Sequence, residues 1–137
     1  MIASGKSAKR TDAYVHMDVR LKRAYEPATH ADGYRVLIDR LWPRGLSRRQ
    51  ARLDDWDKKL APSTSLRQWF GHEPSRFDDF RRRYIEELRD QRPRLAGLRR
   101  RAREGTLTLV YSAHDVEHND AVVLAEVLRR GLPRERT

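Results

Sequence analysis

Polar side chains suited to binding an anion follow two apolar runs of this sequence. The first group consists of Asp39, Arg40, Trp42 and Arg44. The second group consists of Tyr111, Ser112, His114, Asp115, His118 and Asn119. A planar guanidinium binds phosphate or carboxylate through two parallel hydrogen bonds, and an imidazole gains or loses a proton near neutral pH. These residue types therefore favour an anion-binding site with acid–base groups beside it.

The two groups are expected to converge because each follows a predicted β-strand. Residues 34–39 (YRVLID) and 107–112 (LTLVYS) are short apolar runs typical of buried strands. If these strands are parallel neighbours, both groups lie beyond their carboxyl ends, where ligands gather in open α/β sheets. A helix predicted to begin near Asn119 would direct its free N–H groups into the same crevice. The sequence thus predicts one crevice lined from both strands.

Candidate roles follow from the chemistry of each side chain. The residues predicted to hold a ligand are Arg40, Trp42, Arg44, Arg67, Tyr111 and Asn119. The residues predicted to move protons, if the site is catalytic, are His72, His118 and Asp39. The three arginines would bind the anion, and the tryptophan would stack on it or cover it. No cofactor and no metal are predicted, and the pattern does not distinguish an enzyme from a binding protein.

Several of these residues also have structural explanations. Asp39 and Arg40 could clamp the loop that follows their strand, Trp42 could cover the core, and His72 could cap a helix end. Residues 114–118 spell H-x-x-E-H, the order of one metallopeptidase class, which needs both histidines on one helical face. Here the segment lies in a turn between a strand and a helix, so a zinc site is not predicted.

Strands and helices in alternation are predicted to position these residues. The predicted strands span residues 19–25, 34–39 and 107–112, and helical patterns begin near residues 47, 63, 75, 93 and 119. Ser63 is the predicted N-cap of a helix that Gly71 ends, and Ser75 with Asp78 resembles a capping box for the next helix. The predicted fold is a small single-domain α/β sandwich with a short, mostly parallel sheet and helices packed on it.

The composition is typical of one folded domain with a strongly charged surface. The chain has 137 residues, no cysteine, and 30 Lys+Arg against 20 Asp+Glu, which gives a net charge of +10. We expect the domain over residues 17–132, after a flexible basic arm at 1–16 and before a tail at 133–137. The lack of cysteine excludes disulfides and thiolate chemistry. No apolar stretch fits a membrane span or a secretory signal, so we expect a cytoplasmic protein without a membrane partner.

The positive charge leaves two classes of partner open. A field of this sign attracts small phosphate-bearing ligands as well as nucleic acid. We expect a small anionic ligand, phosphate-bearing or nucleotide-like, in the crevice. The alternative is a nucleic-acid-binding or transcription-regulatory protein that uses the basic arm and the arginine-rich residues 92–103. No oligomeric state is predicted.

Several motifs spread along the chain carry a family resemblance. They include residues 32–45 (DGYRVLIDRLWPRG), residues 66–72 (LRQWFGH) and residues 118–121 (HNDA). Over residues 17–130 the chain resembles the YeaO-like family, domain of unknown function 488. The resemblance implies a small α/β protein without an established activity. The polar residues that match the family pattern are Arg23, Tyr25, Asp39, Arg40, Arg44, Ser63, Arg67, His72, Tyr111, His118 and Asn119.

Overall fold

A four-stranded parallel sheet is the centre of the computed structural model, which describes residues 16–134. The strands are β1 (Asp18–Arg23), β2 (Tyr34–Leu37), β3 (Asp55–Trp56) and β4 (Thr106–Tyr111). Their order across the sheet is β1-β4-β2-β3, and every neighbouring pair is parallel. This confirms the predicted small α/β domain. The predicted basic arm falls almost entirely outside the described residues, as does part of the predicted tail.

Five α-helices accompany the sheet within the described residues. They are α1 (Arg48–Ala51), α2 (Thr64–Phe70), α3 (Phe77–Leu88), α4 (Arg92–Glu104) and α5 (Asp120–Arg130). The Ser63 hydroxyl accepts a hydrogen bond from the Leu66 backbone N–H at 3.2 Å and so caps α2, as predicted. Asn119 caps α5 in the same way. Within residues 16–134, no helix combines the length and apolar character needed to cross a bilayer.

Three details of the prediction are wrong. Ser75 does not cap α3, because Pro74 starts a short 3-10 turn that contains Ser75, and α3 begins only at Phe77. Strand β3 was not predicted, since two residues are too short to show a periodic pattern. Strands β1 and β2 end at Arg23 and Leu37, each two residues before its predicted end.

Apolar residues cover both faces of the sheet, as expected for parallel strands. Alternate strand residues such as Val36 and Leu109 join the larger cluster, which contains the α3 residues Phe80 and Tyr84. On the opposite face Ala24, Leu37 and Val110 form a smaller cluster, against which the side chains of Trp42, Leu46, Leu53 and Trp56 pack. Fully burying a large apolar side chain stabilises the folded protein by roughly 1.5–3 kcal/mol. The two clusters therefore hold the strand ends in fixed relative positions.

The register of the sheet brings the segments after β2 and β4 together. Leu37 pairs with Val110, so the residues two positions further along, Asp39 and Ser112, lie side by side. The Asp39 carboxylate accepts hydrogen bonds at 2.8 Å from both the backbone N–H and the hydroxyl of Ser112. The expected convergence of the two polar groups follows directly from this parallel pairing.

Candidate functional site

A cavity of about 550 Å³ lies beyond the carboxyl ends of β1, β2 and β4. Its walls come from the loops after these strands, from α2, α3 and from the start of α5. Pro62, Phe70 and Phe80 give the cavity an apolar wall, while arginine and carboxylate side chains supply polar groups. The volume falls within the range of roughly 300–1,000 Å³ that is usual for small-ligand sites.

Most of the residues predicted from the sequence line this cavity. They are Asp39, Arg40, Trp42, Arg44, Arg67, His72 and Asn119. His118 and Tyr111 are not among the lining residues. Tyr111 is buried in the core, and burial raises the pKa of its phenol. His118 lies beside Phe77, with 5.1 Å between the ring centroids, and its Nδ1 is 2.9 Å from an Asp115 carboxylate oxygen.

Three arginines bring to the cavity hydrogen-bond donors that have no partner among the described residues. The Arg67 Nε is buried and has no hydrogen-bond partner within residues 16–134. Arg40 donates from Nε to the Pro62 carbonyl at 3.1 Å, which fixes its side chain while its two terminal nitrogens form no hydrogen bond with the described residues. The exposed Arg44 side chain likewise has no polar partner in this part of the chain. Such donors are available to a ligand.

Arg23 and Tyr25 also line the cavity, but they hold its walls together. Arg23 donates to the carbonyls of Ala113, at 2.9 Å, and Ser112, at 3.3 Å, and so fixes the loop after β4. The Tyr25 hydroxyl donates to the Arg44 carbonyl at 2.9 Å and so fixes the loop after β2. Both residues match the family pattern, but neither was among the residues predicted to bind the ligand or to move protons.

Asp39 and Asp120 form a carboxyl pair in the cavity wall. Asp120 is the first residue of α5 and lies within hydrogen-bonding reach of Asp39. Burial and the neighbouring Asp39 carboxylate raise the pKa of Asp120 well above its usual range. A proton held by Asp120 can be donated to Asp39 across this contact. Asp120 is not among the residues predicted from the sequence, because the predicted group ended at the adjacent cap, Asn119.

Trp42 and Asn119 are held by contacts within the protein. The Trp42 indole N–H donates to the Leu46 carbonyl at 2.6 Å, and the Arg48 guanidinium lies 4.4 Å from a Trp42 ring centroid. The Asn119 amide accepts from the Val122 N–H at 2.9 Å and donates to the Asp115 carbonyl at 2.8 Å. These contacts place one edge of Trp42 in the cavity wall and fix the start of α5.

The histidines do not converge. His72 follows the helix-ending Gly71, adopts a left-handed backbone with φ of 58°, and is exposed at the cavity rim. His114 Nδ1 faces Arg23 at 3.5 Å, whereas His118 contacts Asp115. Within residues 16–134 no three or more His, Asp or Glu side chains are grouped so as to hold a metal ion.

Comparison with known proteins assigns this chain to one family. The chain is 44% identical over 113 residues to the uncharacterized protein YeaO of Escherichia coli (strain K12), covering 82% of this chain and 98% of YeaO. It is also 44% identical over 110 residues to the uncharacterized protein Mb3100c of Mycobacterium bovis, covering 80% of this chain and 92% of Mb3100c. No solved structure is significantly similar. The sequence model of DUF488-N3i, described as the inactive DUF488-N3 subclade, matches residues 18–137. The chain is therefore a member of the DUF488-N3i family of YeaO-like proteins.

Proposed function

We propose that this protein binds a small anionic ligand, phosphate-bearing or nucleotide-like, in the cavity beyond the carboxyl ends of β2 and β4. The main support is the buried Arg67 Nε, which has no hydrogen-bond partner within residues 16–134. Leaving a buried donor unsatisfied costs about 1–3 kcal/mol, and more when the group is charged. An anion bound by the Arg67 guanidinium would remove this cost by accepting a hydrogen bond from Nε, which the side chain must turn towards the cavity to donate.

Two further arginines support the same ligand chemistry. The terminal nitrogens of Arg40 and Arg44 have no polar partners within the described residues, and both side chains line the same cavity. A guanidinium matches the geometry of phosphate or carboxylate oxygens. The apolar wall formed by Pro62, Phe70 and Phe80 would exclude water from one side of the ligand and strengthen these charged hydrogen bonds.

Binding has more support than catalysis. The matching subclade is described as inactive. Of the predicted proton carriers, His118 is not among the cavity-lining residues, and His72 is exposed and has no polar partner in the described part of the chain to orient it. A general base needs a fixed position within hydrogen-bonding reach of the proton that it removes.

The nucleic-acid alternative has less support because several arginines of α4 are already engaged. Arg94 pairs with Asp57 at 3.1 Å, and Arg101 lies 4.0 Å from the Tyr34 ring centroid. Arg99 donates to the Val127 and Leu128 carbonyls at the end of α5. These contacts reduce the number of side chains that are free to neutralise phosphates along a nucleic acid.

The proposal is tested by thermal unfolding with inorganic phosphate, ribose 5-phosphate and AMP at constant ionic strength. Wild type is compared with Arg67→Gln and with the control Arg100→Gln, which removes the same charge from an exposed position on α4. A saturating ligand should stabilise wild type and Arg100→Gln by roughly 2–4 kcal/mol and Arg67→Gln by much less. No shift with any probe, or equal shifts in all three proteins, would contradict the anion site.

A further inference from the structure

We infer that the ligand carries hydroxyl groups as well as its anionic group, as a sugar phosphate does, and that Asp39 and Asp120 bind those hydroxyls. This inference rests on the proposed anion site and adds a second, acidic half to it. The anion would contact Arg40, Arg44 and Arg67, and the hydroxyl-bearing body would extend to the carboxyl pair.

The cavity presents groups of both charge signs that do not pair with one another. Asp39 and Asp120 line the same cavity as Arg40, Arg44 and Arg67. Within residues 16–134 none of these arginines forms an ion pair with either carboxyl group. Many charged side chains elsewhere in the protein form ion pairs. Positive and negative groups that stay apart in one cavity are suited to a ligand that has an anionic group at one end and hydrogen-bond donors at the other.

The Asp39 carboxylate is held in a fixed position. Two hydrogen bonds from Ser112, both at 2.8 Å, reach its Oδ2, and the register of β2 against β4 sets this contact. Asp120 approaches from the first turn of α5, whose start is fixed by the cap Asn119. A polar pair that is supported by separate elements is preorganised, so it loses little conformational entropy when a ligand binds.

The charges around the pair favour hydroxyls over a cation. Asp39 and Asp120 lie within hydrogen-bonding reach of each other, and both line the cavity. Ligand hydroxyls can donate to the carboxyl oxygens without adding charge, whereas an ammonium group would bring a positive charge into a cavity already lined by arginine side chains. A divalent metal would need further carboxylate or imidazole ligands, and no suitable group of three is present within residues 16–134. Sugar or polyol hydroxyls therefore match the pair best.

The test compares the affinities of methyl phosphate, ribose 5-phosphate and ribose by calorimetry. These probes carry the anion alone, the anion with hydroxyls, and the hydroxyls alone. Wild type should bind ribose 5-phosphate about tenfold or more tightly than methyl phosphate. A hydrogen bond to a charged group typically increases affinity by about this factor. Asp39→Asn should lose that advantage while binding methyl phosphate at least as well as wild type.

Two further variants keep the test interpretable. Asp120→Asn retains a hydrogen-bond donor towards Asp39. It should weaken the binding of ribose 5-phosphate but not the binding of methyl phosphate. Asp90→Asn, at an exposed position away from the cavity, removes the same charge and should change neither affinity. Equal affinities for the two phosphates in wild type, or equal losses of both in Asp39→Asn, would overturn the hydroxyl subsite and leave the anion site standing. Failure of both phosphates to bind wild type would overturn the anion site, and the subsite with it.

Discussion

Arg67 enters the cavity from the last turn of α2, and its Nε is buried without a hydrogen-bond partner in the described part of the chain. No folding argument explains this arrangement, because an apolar side chain of the same length would fill the space without an unsatisfied donor. Groups that lower stability are tolerated at binding sites, where the ligand supplies the missing interaction. Arg67 is the residue on which the anion proposal depends most.

Replacing Arg67 with methionine should therefore stabilise the unliganded protein. Methionine retains an unbranched apolar stem, and the loss of the unsatisfied donor should raise the free energy of unfolding by about 1 kcal/mol. Urea denaturation measures this change. Arg100→Met, at an exposed position on α4, should stay within about 0.5 kcal/mol of wild type. Clear destabilisation by Arg67→Met would mean that Arg67 has a structural role.

The raised pKa of Asp120 predicts a dependence of stability on pH. The folded protein retains this proton above the ordinary carboxyl pKa of 3.8, at which the unfolded chain loses it. Folded molecules thus bind more protons in this range, so the contribution of Asp120 to stability falls as pH rises from about 4 towards the folded pKa. The difference in melting temperature between Asp120→Asn and wild type should grow in favour of the variant over this interval. Melting temperatures of the two proteins that stayed parallel from pH 4 to 8 would contradict the raised pKa of Asp120.

Residue types were enough to select candidate side chains for the cavity but not to predict the contacts of each one. Arg40, Arg44 and Arg67 could be selected because guanidinium chemistry is evident from sequence. The use of Asn119 as a cap was also predictable from its position before an apolar helix. Asp120 could not be recognised, because its raised pKa depends on burial and on Asp39, eighty-one positions earlier in the sequence. Local patterns do not report such long-range contacts.

At the scale of elements, the short turn before β2 fixes the strand that leads into the cavity. Asp32 in this turn is buried and pairs with Arg35 at 2.7 Å and Lys22 at 3.1 Å. Burial alone would raise the pKa of Asp32, but hydrogen bonds from Thr29, Lys22 and Arg35 lower it to about 2. The Asp32 carbonyl also accepts from the Thr108 hydroxyl at 2.7 Å, which links the turn to β4. These contacts hold β2 in register with β4.

Gly33 shows how closely this turn packs against β4. Its φ is +63°, and a Cβ added there would lie 2.3 Å from the Thr106 carbonyl oxygen. Gly33→Ala should destabilise the protein by well over 1 kcal/mol, because both the backbone conformation and the contact forbid a side chain. Gly97→Ala is the matched control in α4, where the added Cβ meets no atom within 4 Å. It should stabilise the protein by about 0.5–1 kcal/mol. If chemical denaturation showed that both variants change the free energy of unfolding in the same direction, the close packing at Gly33 would be refuted.

The elements themselves were largely predictable, and the misses have physical causes. Ser63, Gly71 and Asn119 mark helix ends by chemistry that acts within one turn. The role of Ser75 was wrong because Pro74 begins the helical path one residue before it. Strand β3 exists only through pairing with β2, and no local pattern indicates such a short strand.

For the whole molecule, the parallel sheet accounts for the position of the cavity. Parallel strands place their carboxyl ends at one edge, and the order β1-β4-β2 brings three loops together there. Strand-like patterns in the sequence, with the assumption that two strands are parallel neighbours, predicted the convergence of the loops after β2 and β4 but not of the loop after β1. The net charge of +10 adds a long-range attraction for anions that does not depend on any single contact. Anion association should therefore weaken with salt even where the bound contacts are unchanged.

The most direct test of the anion site is an NMR titration of the arginine Nε–H signals with ribose 5-phosphate at constant ionic strength. Arg99 is the internal control, because it does not line the cavity and its Nε–H group already donates to the Leu128 carbonyl at 3.1 Å. An anion bound at Arg67 should give a saturable shift of the Arg67 Nε–H signal, since this group gains its first acceptor, with little change at Arg99. A stationary Arg67 signal, or equal shifts of all arginines that never saturate, would contradict a specific anion site in the cavity.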